Sequence, residues 1–249
     1  MSIHSLKQDN VSGVNNNPEV GLMNRREEIR TYWKELLAAT IGTGFGVATP
    51  IFYTTGLFVP SLRTEFGWSL SELSLLPLVG CFIIIITSPF VGRIIDKYGV
   101  KIPTSVSLIA LSASFICLTV SGPSFTSFMV IWIVMHFVAA ESTPVSFTRV
   151  VTTRFTSMRG LSLGITLGGA GIVAFLVPKL LGDTIASDWR QGYYVLSAAV
   201  LAAAIIFWLL LPAKDPVSET CSVMNIPAAT LMSIDISVFV NRRGLLSEF

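Results

Sequence analysis

The sequence predicts an all-α membrane protein with six transmembrane helices, and two observations carry this prediction. Six apolar runs of about 18 to 25 residues follow one another, each long enough for a helix to cross about 30 Å of hydrocarbon. The chain is 52% hydrophobic and only 13% charged. Because an unpaired backbone amide is costly in lipid, such runs must be helices rather than open strands.

These runs divide the chain into three regions. An N-terminal arm covers residues 1–35 and is predicted to contain a short amphipathic helix over residues 25–34. A six-helix bundle covers residues 36–211, and a tail of mixed polarity covers residues 212–249. The predicted spans lie at about 36–60, 73–91, 104–121, 125–147, 161–181 and 193–211.

The distribution of basic residues predicts the orientation in the membrane. Fourteen of the 17 Lys and Arg residues lie in the arm, the second and fourth connections and the tail, all on one side of the predicted bundle. Cytoplasmic loops carry an excess of Lys and Arg, so both termini are predicted to lie in the cytoplasm. We expect a multi-pass protein of the cell membrane (plasma or inner membrane), in direct contact with the lipid bilayer.

Two short segments indicate an internal repeat of three helices. The second span ends with Pro89 and Gly92, and the fifth ends with Pro178 and Gly182. These spans occupy corresponding places in a three-plus-three arrangement but end on opposite faces of the membrane, as inverted repeats require. The fold class is therefore predicted as two inverted three-helix repeats.

Glycines in the first and fifth spans are candidates for close helix packing. Small residues let helix backbones approach in lipid, where no hydrophobic force drives helices together. The alternative is that these helices slide or bend as the protein changes conformation. The candidates are Gly42, Gly46, Gly164 and Gly168.

The connection between the second and third spans is the most specific local pattern. A carboxylate there can cap a helix N-terminus, and the neighbouring cations can pair with acidic groups or lipid phosphates. As a charge pattern alone, it is also typical of an ordinary membrane-anchored loop. Its residues are Gly92, Asp96, Lys97, Gly99 and Lys101.

This loop resembles the signature loop of the major facilitator superfamily. The stretches around Pro144–Arg149 and Arg159–Gly164 are similar to the fourth-to-fifth helix passage of the monocarboxylate and oxalate/formate branch. The resemblance covers roughly residues 36–214 and implies the N-terminal half of a twelve-helix transporter. In that family the loop carboxylate, here Asp96, is implied to gate the two halves at the cytoplasmic side.

Two ionisable residues of the fourth span are candidates for substrate or coupling-ion binding. A carboxylate inside the membrane costs free energy to bury, and such residues usually have a function. Glu141 is therefore a candidate proton carrier, or one member of a structural pair. Arg149 follows eight residues later, about 80° further round a regular helix and broadly on the same face. It is a candidate for attracting a carboxylate substrate, or a cation that reaches lipid headgroups.

Two weaker candidates complete the predicted site. His136 points about 140° away from Glu141 on a regular helix and is either a core histidine or a proton relay. Tyr53 in the first span can donate a hydrogen bond to a substrate, or simply pack.

Enzymatic chemistry is not predicted. The stretch Gly160–Gly164 spells a G-x-S-x-G motif, but that motif needs a strand–turn–helix setting and a later histidine. No histidine follows His136, and with two histidines in the chain neither a metal site nor a cofactor is expected. A nucleic-acid partner is not expected either.

The tail bears on how a transport site is completed. Its best apolar stretch, residues 234–240, is too short to span a membrane, so we expect a second six-helix half to lie outside this sequence. A truncated reading frame is the favoured explanation; a partner chain and a homodimer are the alternatives.

The predicted function is secondary transport. The expected cargo is a small organic anion such as a monocarboxylate, with a proton as the candidate coupling ion, moved by alternating access between two six-helix halves. The competing hypothesis is a structural or vestigial membrane protein that transports nothing.

Overall fold

A computed structural model describes residues 25–212 of the chain. The described residues are helical, with no strand among them. The arm up to residue 24 and the tail from residue 213 lie outside the described residues, and so do the predictions made for them. The helices are α1 (Arg25–Phe45), α2 (Ala48–Phe66), α3 (Leu70–Tyr98), α4 (Lys101–Thr119), α5 (Phe125–Val138), α6 (Pro144–Arg154), α7 (Arg159–Ser187) and α8 (Trp189–Leu210).

Eight helices form six spans because the first and the fourth span are each broken. In the described part, the pair α1–α2 and the helices α3, α4, α7 and α8 are long and apolar enough to cross a membrane. Helix α5 is apolar but shorter, because the fourth span is interrupted by a 3₁₀ turn at Ala140–Ser142. The prediction of one continuous helix over each of 36–60 and 125–147 is therefore wrong, because each span consists of two helices.

The break in the fourth span has a local cause. Thr143 precedes Pro144, whose ring disfavours helical backbone at the residue before it, and Thr143 is extended with ψ 158°. In the first span, α1 ends at Phe45 and α2 begins at Ala48, with Gly46 and Val47 between them. The N-terminal region also differs from expectation, because α1 starts at Arg25 and continues into the first span with a kink at Tyr32.

The helix contacts follow the predicted inverted repeat. In such a repeat the first span corresponds to the fourth, the second to the fifth and the third to the sixth. Contacts between the first and fifth spans should therefore have counterparts between the fourth and second spans. Helices α1 and α2 do pack on α7, and α3 packs on α5. The third and sixth spans, α4 and α8, pack on each other. This agrees with the repeat, because its symmetry exchanges these two spans with each other.

A pair of serines joins α4 to α8 in a symmetric way. The Ser112 hydroxyl donates to the Ser197 carbonyl oxygen over 2.9 Å, and the Ser197 hydroxyl donates to the Ser112 carbonyl oxygen over 2.9 Å. Both residues are buried. Because the hydroxyls bond to the facing backbone, the two helices approach closely without leaving a buried polar group unpaired.

Large side chains fill the space between the spans. Phe58 of α2 stacks on Tyr193 of α8 with ring centroids 4.0 Å apart, and Phe147 of α6 meets Phe207 of α8 edge to face. Many apolar side chains on the outer faces are exposed, for example Ile85, which is 67% exposed. Exposed apolar faces on long apolar helices are what a bundle surrounded by lipid requires.

The bundle has two ends, which we call the Asp96 end and the Glu65 end. The Asp96 end holds the start of α1, the α3–α4 turn, the α6–α7 connection and the end of α8. The Glu65 end holds the α2–α3, α4–α5 and α7–α8 connections. The arrangement gathers the connections rich in Lys and Arg at the Asp96 end.

Candidate functional site

The two broken spans meet at their breaks. The Val47 amide donates to the Ser142 carbonyl oxygen over 3.0 Å and lies 3.2 Å from the Ser142 hydroxyl. A helix break leaves backbone groups without intrahelical hydrogen-bond partners. Here the free amide at one break bonds to the free carbonyl oxygen at the other. The breaks are therefore held against each other inside the bundle.

Two of the predicted packing glycines make this contact possible. A Cβ on Gly46 would lie 2.2 Å from the Ser142 carbonyl oxygen, and a Cβ on Gly42 would lie 2.2 Å from the Phe147 ring. Neither distance is tolerable for carbon, so only glycine lets α1 approach α6 and the 3₁₀ turn this closely.

The other two predicted packing glycines, Gly164 and Gly168, do not pack against a neighbouring helix in the described part of the chain. A Cβ on Gly164 or on Gly168 would meet no described atom within 4 Å, because both lie on the open face of α7. The close approach in α7 is made instead by Gly169, where a Cβ would lie 2.2 Å from the Thr40 carbonyl oxygen of α1. The sequence pattern indicated a glycine-rich helix but not which glycine faces a neighbour.

Glu141 lies in the 3₁₀ turn of the fourth span. Both of its carboxylate oxygens are buried, and neither has a hydrogen-bond partner. Glu141 lines a cavity of about 350 Å³ between α3 and α5. Apart from Thr87, the rest of the described lining is apolar: Ile86, Phe90, Val91, Ile94, Phe137, Val138 and Ala140.

Arg149 lies at the Asp96 end of the bundle and pairs with the loop carboxylate. Its guanidinium Nη1 donates to Asp96 Oδ1 over 2.6 Å, and the two side chains are 37% and 54% exposed. The prediction that Glu141 and Arg149 share a face assumed a regular helix, and the break at Thr143 interrupts that regularity. The contact ties α3 to α6.

A second cavity, of about 260 Å³, lies beside this ion pair between α3 and α6. Arg149 is the one charged residue among the described residues that line it. Gly92 also lines this cavity, and a Cβ there would meet nothing within 4 Å. The two cavities share the lining residues Thr87, Val91 and Ala140, so they are neighbours along α3.

The remaining loop residues shape the turn and hold the bundle end. Gly99 has φ 75°, a backbone conformation that favours glycine, and its amide donates to the Ile95 carbonyl oxygen over 2.8 Å. Lys101 donates to the Leu211 carbonyl oxygen over 2.5 Å, which caps the end of α8. The Lys97 ammonium lies 5.0 Å from the ring of Tyr98.

His136 and Tyr53 are not brought together with these groups. His136 is fully buried, with Nδ1 2.9 Å from the Trp132 carbonyl oxygen and its ring against Gly80 of α3. Its Nε2 has no partner among the described residues. Tyr53 on α2 is 56% exposed and lines neither the Glu141 cavity nor the Arg149 cavity.

A carboxylate of the N-terminal region was missed by the sequence analysis. Glu28 of α1 is 2% exposed and accepts hydrogen bonds from the backbone amides of Thr156, Ser157 and Met158, immediately before α7. Burial raises the pKa of Glu28, but these bonds and one from the Thr156 hydroxyl outweigh it, so the pKa is lowered. The start of α1 is thus anchored to the α6–α7 connection.

A second ion pair, also missed, holds the opposite end of the bundle. Glu65 at the end of α2 accepts a hydrogen bond from the Trp189 indole and pairs with Arg190 over 2.8 Å. These two interactions lower the pKa of Glu65 despite its partial burial, with the Trp189 bond the largest contribution. A cleft of about 540 Å³ between α2 and α7 lies beside this cluster.

Within residues 26–212, no group of three His, Cys, Asp or Glu side chains is placed to hold a metal ion. No side-chain arrangement in the described part points to a cofactor. The chemistry available at the candidate site is therefore that of one isolated carboxyl group and one exposed ion pair.

Comparison with known proteins gives one match. The family model of the Major Facilitator Superfamily matches residues 36–242, well over half of the chain. The search of curated proteins found no match. The all-helical fold with about six spans is that of half a transporter of this kind. The chain belongs to the major facilitator superfamily, a family of multi-pass membrane transporters.

Proposed function

We propose that this transporter moves a small organic anion, such as a monocarboxylate, across the cell membrane by alternating access. Both termini lie in the cytoplasm in this proposal, as the excess of Lys and Arg at the Asp96 end favours. The observation that carries the proposal is the exposed Asp96–Arg149 ion pair beside an otherwise uncharged cavity.

Arg149 is suited to bind a carboxylate that enters this cavity. A guanidinium binds carboxylates through paired N–H donors, and here Nη1 already holds one carboxylate. Exposed ion pairs contribute only about 0.2–1 kcal/mol, so a substrate carboxylate can replace Asp96 at small cost. Ser88 and Thr143 add polar groups to the same lining, and about 260 Å³ suits a molecule of a few heavy atoms.

Exchange of Asp96 for the substrate links binding to movement. While Asp96 holds Arg149, the Asp96 ends of α3 and α6 are tied together. When the substrate takes Arg149, this tie is released. The breaks at Val47 and Ser142 supply positions about which the half-helices α1 and α6 can turn.

A second six-helix unit completes the transport site in this proposal. Alternating access places the substrate between two bundles that rock against each other. A further segment of a longer protein, a partner chain or a second copy of this chain could supply that unit. Its arrival would cover part of the exposed apolar surface of the bundle.

Counterflow in proteoliposomes tests the proposal. The full chain, reconstituted alone, is loaded with unlabelled lactate or formate, and entry of the labelled anion is followed; glycerol serves as the neutral control. If a second copy of this chain supplies the second six-helix unit, we expect saturable entry that Arg149→Gln abolishes. Arg93→Gln should leave entry unchanged, since Arg93 does not line the Arg149 cavity.

Asp96→Asn gives a second readout. Because the substrate no longer competes with the Asp96 carboxylate for Arg149, the half-saturating anion concentration should fall by about twofold to fivefold. This factor corresponds to the free energy of an exposed ion pair. Entry no faster than in empty liposomes would reject transport by this chain alone. Equal entry by wild type and Arg149→Gln would reject the role of Arg149.

A further inference from the structure

The Glu141 carboxyl group forms no hydrogen bond and no ion pair within the described bundle. Of the nine described residues that line its cavity, Glu141 is the one titratable residue. Both carboxylate oxygens are buried and without a hydrogen-bond donor. A buried carboxylate without a partner is strongly disfavoured, whereas a neutral carboxyl group is tolerated far more easily.

Other charged or titratable groups lie on the elements packed against the 3₁₀ turn, and none of them lines this cavity. On α5, the His136 ring lies against Gly80 of α3, and its Nε2 has no partner among the described residues. On α3 and α6, Asp96 and Arg149 pair with each other. On α4, Lys101 bonds to the end of α8.

Four further charged side chains lie on α3 and α6. On α3, Glu72 bonds to Ser69 at the start of the helix, and Arg93 and Lys97 lie over the Phe90 and Tyr98 rings. On α6, Arg154 lies over the Tyr32 ring. None of these four charged side chains lines the cavity.

The burial of the two oxygens limits what can neutralise Glu141. An ammonium group or a metal ion needs exposed carboxylate oxygen to bind, and neither oxygen offers it in this state. A proton needs no such space. The cavity also adjoins the Arg149 cavity through Thr87, Val91 and Ala140, which gives a short route between Glu141 and the exposed ion pair.

We propose that Glu141 is the proton-binding site of the transporter and is loaded with a proton in the state described here. This inference rests on the proposed function, since the proton is carried together with the substrate anion. Water on one side supplies the proton, which forms the O–H bond of the neutral carboxyl group. When the two cavities join and hydrate, the proton leaves to water on the other side. One proton with one monocarboxylate moves no net charge.

Labelling with dicyclohexylcarbodiimide tests proton occupancy without any transport measurement. This apolar reagent enters bilayers and reacts with protonated carboxyl groups there. It reaches Glu141 when the cavity opens during the transport cycle, since both oxygens are buried in the state described here. With the full chain in liposomes, mass spectrometry of the peptides should locate an adduct on Glu141 whose yield falls as pH rises. Glu141→Gln should lose that adduct, whereas Asp183→Asn, at an exposed carboxyl group of α7, should keep it.

The second measurement is counterflow with and without a pH gradient. We expect an inward proton gradient to accelerate anion entry by wild type and by Asp183→Asn, but not by Glu141→Gln. No adduct on Glu141, or a yield independent of pH, overturns the proton site. A pH-dependent adduct without counterflow in wild type supports the proton site and rejects transport by this chain alone. Counterflow without the adduct rejects the proton site alone.

Discussion

The amide of Val47, at the break of the first span, donates a hydrogen bond over 3.0 Å to the carbonyl oxygen of Ser142, at the break of the fourth. This contact joins the corresponding members of the two three-helix repeats. It also fixes the residue next to Glu141, so the position of the isolated carboxyl group depends on it. The two breaks therefore form one structural unit.

Gly46→Ala should disrupt this unit. The new Cβ would lie 2.2 Å from the Ser142 carbonyl oxygen, and backbone cannot yield as a flexible side chain can. Overpacking of this kind costs about 1–3 kcal/mol, or about 2–12 °C in the melting temperature of a chain this size. Thermal unfolding in detergent measures it. Gly56→Ala, which meets nothing within 4 Å, is the control and should melt no lower than wild type.

Two adjacent glycines of α7 offer a second matched pair. Gly169→Ala should lower the melting temperature, because its Cβ would lie 2.2 Å from the Thr40 carbonyl oxygen. Gly168→Ala should leave it unchanged or raise it, since alanine favours a helix by about 0.5–1 kcal/mol over glycine. If both variants melt alike, the described packing of α1 on α7 is wrong.

Glu28→Gln should destabilise the Asp96 end of the bundle. Hydrogen bonds to a charged group contribute about 1.5–3 kcal/mol, and the neutral amide loses part of that for each of three backbone donors, so we expect a loss of about 2 kcal/mol. Glu27→Gln, at the exposed neighbouring position, is the control. Limited proteolysis at the α6–α7 connection gives an independent readout, and unchanged cleavage would contradict the anchor.

The same anchor makes stability depend on pH. The pKa of Glu28 is lowered in the folded state, so its stabilisation is fully present above the ordinary pKa of glutamate. It is lost as pH falls through the lowered pKa of the folded state. The difference in melting temperature between wild type and Glu28→Gln should therefore shrink on acidification. A difference that grows would show that the carboxyl group is bound in its neutral form.

The Asp96–Arg149 contact should behave as an exposed ion pair. A double-mutant cycle with Asp96→Asn and Arg149→Gln should give a coupling energy of about 0.2–1 kcal/mol. High salt should reduce it, because solvent-exposed charges are screened. A coupling energy of several kcal/mol would instead indicate a rigid structural pair, unsuited to exchange with a substrate.

Much of the fold could be predicted from the sequence, because span length and composition are properties of local sequence. The break at Thr143 also has a local signal in the following Pro144. The sequence analysis did not use it, because the apolar run continues on both sides of the proline. The Arg149–Asp96 pair and the Glu28 anchor could not be predicted this way. Their partners lie 53 and 128 residues apart, and charge alone does not select among such distant partners.

The most direct test of the account follows access to the Arg149 cavity during transport. Gly92→Cys places a thiol in the lining of that cavity at a position with open space, in a chain whose three native cysteines are replaced by serine. An impermeant maleimide is added to inside-out and to right-side-out membrane vesicles, with and without lactate. We predict labelling only in inside-out vesicles, at a rate that lactate changes. Labelling in right-side-out vesicles, or a rate that no monocarboxylate alters, would contradict a cytoplasmic cavity that opens and closes around an organic anion.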